Sequence, residues 1–192
     1  MRLSSYLAVV SARGRLLALM NLVFFGCVFT VFLLSDLLFP LLISESPQPF
    51  PQTLSGNVFF MFLGIFLFNL VVSSFIVVTL PGFLFFPLST GFLLFRGFIW
   101  GVLLHYQPTW VLLVAMPTLV LEGEAYALAA VAGTVTGFSW FKPERLYGEE
   151  GLGRTTAFTR ALRESVAIYF FVCVLLLLAA IMETTTLLFI VH

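Results

Sequence analysis

Four polar side chains interrupt apolar runs in this sequence. Glu122 and Glu124 lie in MPTLVLEGEAYALAAVAGTVTG (116–137), Arg96 in FRGFIWGVLL (95–104) and Asn69 in FNL (68–70). Carboxylates near a guanidinium can do two kinds of chemistry in an apolar medium: form an ion pair that ties helices together, or line a polar path for protons or ions. A charge alone at the bilayer centre costs about 2.5–3.5 kcal/mol, so each of these groups is expected to face protein or water rather than acyl chains. The amide of Asn69 brings two donors and an acceptor, enough to join such a set by hydrogen bonds across helices. Thr118 and Tyr126, on the same segment as the two glutamates, are counted with this intramembrane polar network.

Counting outward from the turn YQPT (106–109), Arg96 lies about ten residues back and Glu122 about fifteen forward, so helices would place them within roughly 7–8 Å in depth. The expectation is an Arg96–Glu122 pair, direct or bridged by water. Glu124 cannot share that role. Two residues along a helix is a rotation of about 200°, which points Glu122 and Glu124 to nearly opposite sides. Gly123 and Pro117 could distort the helix locally. Glu124 therefore needs its own partner, a wet cavity or a proton, and is the stronger candidate for a function.

Other chemistries find little to build on. Cys27 and Cys173 sit in apolar runs without a CxxC spacing, and His105 is far along the chain from His192, so no metal site or nucleophile–base pair is expected. No cofactor is expected, and nothing in the pattern points to an enzyme. Lys+Arg and Asp+Glu are nine each, for a formal net charge of zero, which excludes the electrostatic footprint of a nucleic-acid-binding protein.

The elements that must position these residues follow from composition. With 61% apolar and 9% charged residues, the chain falls outside the soluble range and into the membrane class. A span needs about 20 apolar residues, and that ruler marks five: 16–35, 58–80, 83–105, 109–138 and 165–190. The expected fold is all-α, a polytopic helical membrane protein forming one integral membrane domain over 1–192. Pro81 and Gly82 are read as the breaker between the second and third spans, and YQPT as the turn between the third and fourth. Pro87 and Pro117 are read as possible kinks.

Orientation follows from basic residues. Arg2, Arg13 and Arg15 precede the first span, and Lys142, Arg145, Arg154, Arg160 and Arg163 fill the loop at 139–164, which places both regions in the cytoplasm. Residues 1–14 are expected at the membrane surface, and 44–57 (SESPQPFPQTLSGN) as an irregular external loop. The end of the 139–164 loop reads as a short amphipathic helix at the headgroups, whose arginines would set topology or meet anionic lipid. Asp36, Glu183 and His105, close to span ends, are expected to reach the external interface.

Small residues supply the packing. Ala125, Ala129, Gly133 and Gly137 recur every four residues along one helix face, and Gly97 and Gly101 form a GxxxG beside Arg96. Such strips let membrane helices approach closely, and the two are expected to face each other. Ser73 and Ser74, beside Asn69 in the second span, could bond across helices.

The order of these features resembles the stage II sporulation protein M family of polytopic membrane proteins. There a span with an asparagine is followed by an NGxxxG-like run and then by a PHGxxExxA-like motif leading into a small-residue helix. Gly97, Gly101, Pro117, Glu122 and Ala125 match that pattern, and the resemblance covers about residues 60–140. Thr118 and Leu119 replace the family's histidine and glycine, and Arg96 stands where asparagine is common, so no role resting on that histidine carries over. The resemblance implies a non-enzymatic scaffold or subunit of a membrane protein complex in the cell membrane. Its partners would be the lipid bilayer and membrane or envelope proteins, with a second copy of the chain as an alternative. The competing reading is a transporter or permease component in which Glu122, Glu124, Arg96 and Asn69 line a polar path.

Overall fold

Backbone amides in hydrocarbon have no water to bond, so each apolar run must close its hydrogen bonds within itself as a helix. The computed structural model describes residues 3–38 and 57–191, with side chains over 4–37 and 57–188, and these residues are helical apart from short turns and the 148–153 loop. The external loop read at 44–57 lies outside the described residues, apart from Asn57, whose side chain accepts a 3.0 Å bond from the Phe59 amide and caps the next helix.

The elements in order are α1 (Leu3–Ala12), α2 (Gly14–Leu38), α3 (Val58–Leu67), a π-helical segment (Phe68–Thr79), α4 (Leu80–Leu84), α5 (Pro87–His105), α6 (Thr109–Phe141), α7 (Pro143–Tyr147) and α8 (Arg154–Val191). Five helical runs are long and apolar enough to cross a membrane: Gly14–Leu37, Val58–Leu84, Pro87–His105, Thr109–Phe141 and Arg154–Leu188. The fold is therefore the all-α polytopic one expected from the apolar runs.

Three boundaries depart from that expectation. The second span does not stop at Pro81–Gly82. There the backbone changes from π to α register, and the missing N–H of Pro81 falls at that register change while the helical run continues to Leu84. The reversal falls instead at Phe85, which is extended (φ −148°, ψ 110°), and Pro87 opens α5. The irregular backbone expected at Pro117 lies instead in the second span, as the π segment around Asn69, while α6 runs without interruption past Pro117. Finally, the amphipathic stretch before the fifth span is not a separate interfacial helix. Arg154 starts one continuous α8, because nothing between 154 and 165 breaks a helix.

α6 is the central element. It packs against α8, the π segment, α2, α4 and α5, and its residues from Ala125 to Gly133 are all buried. Around it α2 pairs with α5, and α3 leans on α8. Exposed apolar side chains, among them Leu22, Phe29, Leu84, Leu113 and Val166, cover the outside, as lipid-facing positions require.

The two ends of the bundle are pinned differently. At one, Arg13 follows α1 and donates to Glu164 of α8 at 2.8 Å, while Tyr6 stacks on Phe170 with centroids 5.2 Å apart. The N-terminal segment thus packs along α8 as well as lying at this end of the spans. At the other, His105 places Nδ1 2.8 Å from the Phe32 carbonyl and Nε2 2.9 Å from Asp36, joining α5 to α2. Asp36 is the open member of that pair, 87% exposed.

Candidate functional site: a buried polar network across three helical elements

Glu122 projects from α6 into the π segment and is 1% exposed. Asn69 donates from Nδ2 to Glu122 Oε1 at 2.8 Å. Tyr126, one turn further along α6, sets its hydroxyl 3.2 Å from Glu122 Oε2 and 2.9 Å from Asn69 Oδ1, and accepts a 2.8 Å bond from Arg96 Nη2. The Arg96 guanidinium also lies over the Tyr126 ring, 4.8 Å from its centroid. Arg96, Tyr126, Glu122 and Asn69 thus meet at one point between α5, α6 and the π segment.

The expected Arg96–Glu122 contact is replaced by a relay through Tyr126. Tyrosine carries a hydroxyl far enough from its backbone to span the depth difference between the two charges, so neither a direct pair nor water is needed. Its phenol has a single proton and faces two acceptors, Asn69 Oδ1 and Glu122 Oε2. One acceptor is short of a proton unless the Glu122 carboxyl brings its own.

The π register shapes the pocket around this hub. Ser74 donates to the Asn69 carbonyl, five residues back, at 2.8 Å, a span that matches the wider π turn. This bond stays inside its own helix, and Ser73 Oγ is buried without a hydrogen-bond partner among the described residues, so the expected cross-helix serines do not serve that purpose. Thr79 and Ser89 do instead. Thr79 donates to the Ala129 carbonyl at 2.8 Å and meets the Tyr169 hydroxyl at 2.6 Å, and Ser89 donates to the Val78 carbonyl at 2.9 Å. Thr118 is buried one turn before Glu122 but makes no hydrogen bond into the network among the described residues.

Glu124 points away from this hub, as the helical rotation requires, and is half-buried against α2. Its partner is Asn21, which donates from Nδ2 to Oε2 at 3.0 Å and leaves its own Oδ1 buried without a donor. The sequence reading passed over Asn21, although an amide in the apolar run LMNLV is the same signal that singled out Asn69. Gly123, between the two glutamates, seats the rings of Phe24 and Phe25; a Cβ there would come within 2.7 Å of the Phe24 ring.

The small-residue strips do not face each other. Gly97 and Gly101 receive α2: a Cβ at Gly101 would lie 2.7 Å from Val31 Cβ, and one at Gly97 would lie 3.0 Å from the Phe24 carbonyl oxygen. Gly133 and Gly137 receive the end of the second span and the first turn of α5: a Cβ at Gly133 would overlap Ser89 Oγ of α5 and lie 2.8 Å from the Thr79 carbonyl oxygen, and one at Gly137 would overlap the Gly82 carbonyl oxygen. Ala125 and Ala129 are fully buried on the same helix. Each strip has found a different neighbour because α2 stands beside α5 and α4 beside α6.

Among the described residues, no three His, Cys, Asp or Glu side chains gather as a metal ion would need. A family model for stage II sporulation protein M matches residues 16–186. No curated protein and no solved structure matches the chain. The match takes in residues of all five apolar helices and the buried network they enclose, and the chain belongs to the stage II sporulation protein M family.

Proposed function

We propose that this protein is a non-catalytic scaffold, or subunit, of a membrane protein complex in the cell membrane. Its N-terminus and the 142–153 segment would lie in the cytoplasm. The observation that carries the reading is the engagement of Glu122. Both carboxylate oxygens are held inside the bundle by Asn69 and Tyr126, at 1% exposure, so this carboxyl is used to fix helix packing. A bundle tied in this way presents a constant surface to a partner. Glu124, half-buried on the opposite side of α6 and hydrogen-bonded to Asn21, is the polar group we assign to meet that partner.

The shared proton between Tyr126, Asn69 and Glu122 supports a second reading, a proton-coupled transport component, because a carboxyl that can gain or lose its proton inside a bundle is what such carriers use. Extraction from native membranes into a lipid-preserving polymer separates the two. Under the scaffold reading, wild type co-purifies with a membrane or envelope protein in fixed ratio, and Glu124→Gln lowers that ratio while Glu122→Gln does not. Protein free of partners in all three samples, together with pH-dependent solute uptake in reconstituted vesicles that Glu122→Gln abolishes, would replace it with the transport reading.

A further inference from the structure

The end of the bundle that holds α7 carries more basic groups than its internal ion pairs use. Arg13 is held by Glu164, and Arg160 by Glu149 at 2.7 Å, with a longer contact to Glu164. Lys142, Arg145 and Arg154 make no ion pair with any described carboxylate. These three line one open cavity of about 530 Å³, together with Phe141, Pro143, Glu144, Leu152 and Gly153. Glu144, the one acid in the lining, is turned to the loop and accepts from the Gly151 amide at 3.1 Å. Three cations therefore surround the cavity against one carboxylate that already has a donor.

Placement gives this excess a meaning. The cavity begins where α6 ends, at the level of Trp140 and Phe141, which are 41% and 54% exposed, with Trp140 packed on Phe158 at 4.8 Å. Exposed aromatic rings at a helix end mark the depth of the lipid headgroups. The first turn of α8, whose amides have no acceptor within the helix, starts at the same rim with Gly153 and Arg154. A ligand seated here would meet cations and free amides on its polar side and Phe141 and Leu152 on its apolar side.

We propose that Lys142, Arg145 and Arg154 form a binding site for a phosphate monoester or diester group, of which the headgroup of an anionic phospholipid is the source best matched by position. Lysine and arginine near an anionic surface each strengthen lipid binding on the order of fivefold. Three converging on one phosphate would make the protein select anionic over zwitterionic lipid in its immediate shell. Occupation would also join the end of α6 to the start of α8 through the ligand, stiffening the only cytoplasmic connection longer than a turn among the described residues.

The test uses the full chain with Trp100→Phe and Trp110→Phe, leaving Trp140 as the reporter, reconstituted in phosphatidylcholine vesicles. Brominated phosphatidylglycerol should quench Trp140 on the order of tenfold more effectively than brominated phosphatidylcholine at the same mole fraction. Lys142→Gln, Arg145→Gln and Arg154→Gln together should abolish that preference, whereas Arg163→Gln, which removes an exposed cation at the same end but outside the cavity, should preserve it. Each single variant, less prone to misfold, should weaken it in part. Inorganic phosphate or glycerol 3-phosphate that reverses the quenching at millimolar concentration would keep the phosphate site and make a soluble ester its source. Equal quenching by the two lipids, with no displacement by either phosphate, or a preference that survives all the cavity variants, would overturn the proposal.

Discussion

Tyr126 is the residue on which the intramembrane chemistry turns. Its hydroxyl accepts from Arg96 and sits against both Asn69 and Glu122, so one substitution removes the link among three elements. Tyr126→Phe should destabilise the protein by about 1–3 kcal/mol, the cost of leaving a buried polar group unpaired, read as a lower unfolding midpoint in detergent. Glu122→Ala should do similar damage. Glu122→Gln should cost under about 1 kcal/mol, because its amide can donate the proton that the network lacks while its oxygen still accepts from Asn69. The decisive comparison is a double-mutant cycle: Arg96→Ala and Glu122→Ala should be coupled in wild type and additive in the Tyr126→Phe background. Coupling that persists without the hydroxyl would show that the two charges interact by another route. At the end of the bundle that holds α7, burial and the nearby Glu164 carboxylate push the Tyr147 phenol up to about 12. Because the folded protein holds this proton longer than the unfolded chain does, stability should fall as pH rises from about 10 towards 12. Tyr147→Phe should flatten that part of the profile, and an unchanged slope would reject the assignment.

At the scale of elements, the glycines divide into those that receive a neighbour and those that do not. Gly133→Ala and Gly137→Ala should each lose about 1–3 kcal/mol or more, since a Cβ at Gly133 would lie 2.8 Å from the Thr79 carbonyl oxygen and one at Gly137 would overlap that of Gly82. Gly26→Ala, Gly64→Ala and Gly91→Ala meet nothing within 4 Å and should gain about 0.5–1 kcal/mol from helix propensity. Thermal unfolding of the five variants side by side checks both signs, and uniform losses would deny the close approach of α4 to α6. The spans were legible in the sequence because length and hydropathy alone decide whether a helix can cross lipid. Helix neighbours were not, because a small-residue strip says that something approaches and not which helix does. Gly97 and Gly101 were therefore matched with the wrong strip, although the strips themselves were plain. The π segment also left no pattern to read: its register is set by how Asn69, Ser74 and Thr79 meet their partners in three dimensions. The hub was half legible. The charges and the amide stood out against apolar surroundings, whereas a tyrosine is ordinary in a membrane helix and gave no sign of being the bridge.

At the scale of the molecule, the five apolar helices and the distribution of arginine and lysine predict a topology that labelling can check. With Cys27 and Cys173 replaced by serine, a single cysteine at Glu150 should react with a membrane-impermeant maleimide only from the cytoplasmic side, and one at Gln107 only from the outside; the reverse labelling would invert the orientation. The scaffold reading places the partner at Glu124, on the side of α6 away from the Glu122 hub. Native mass spectrometry of the protein released from native-membrane discs tests it most directly. The account predicts a complex whose mass exceeds that of the chain by an integral number of partner subunits, with that mass lost in Glu124→Gln and kept in Glu122→Gln. A chain that emerges alone, carrying only lipid, in wild type and both variants would contradict it.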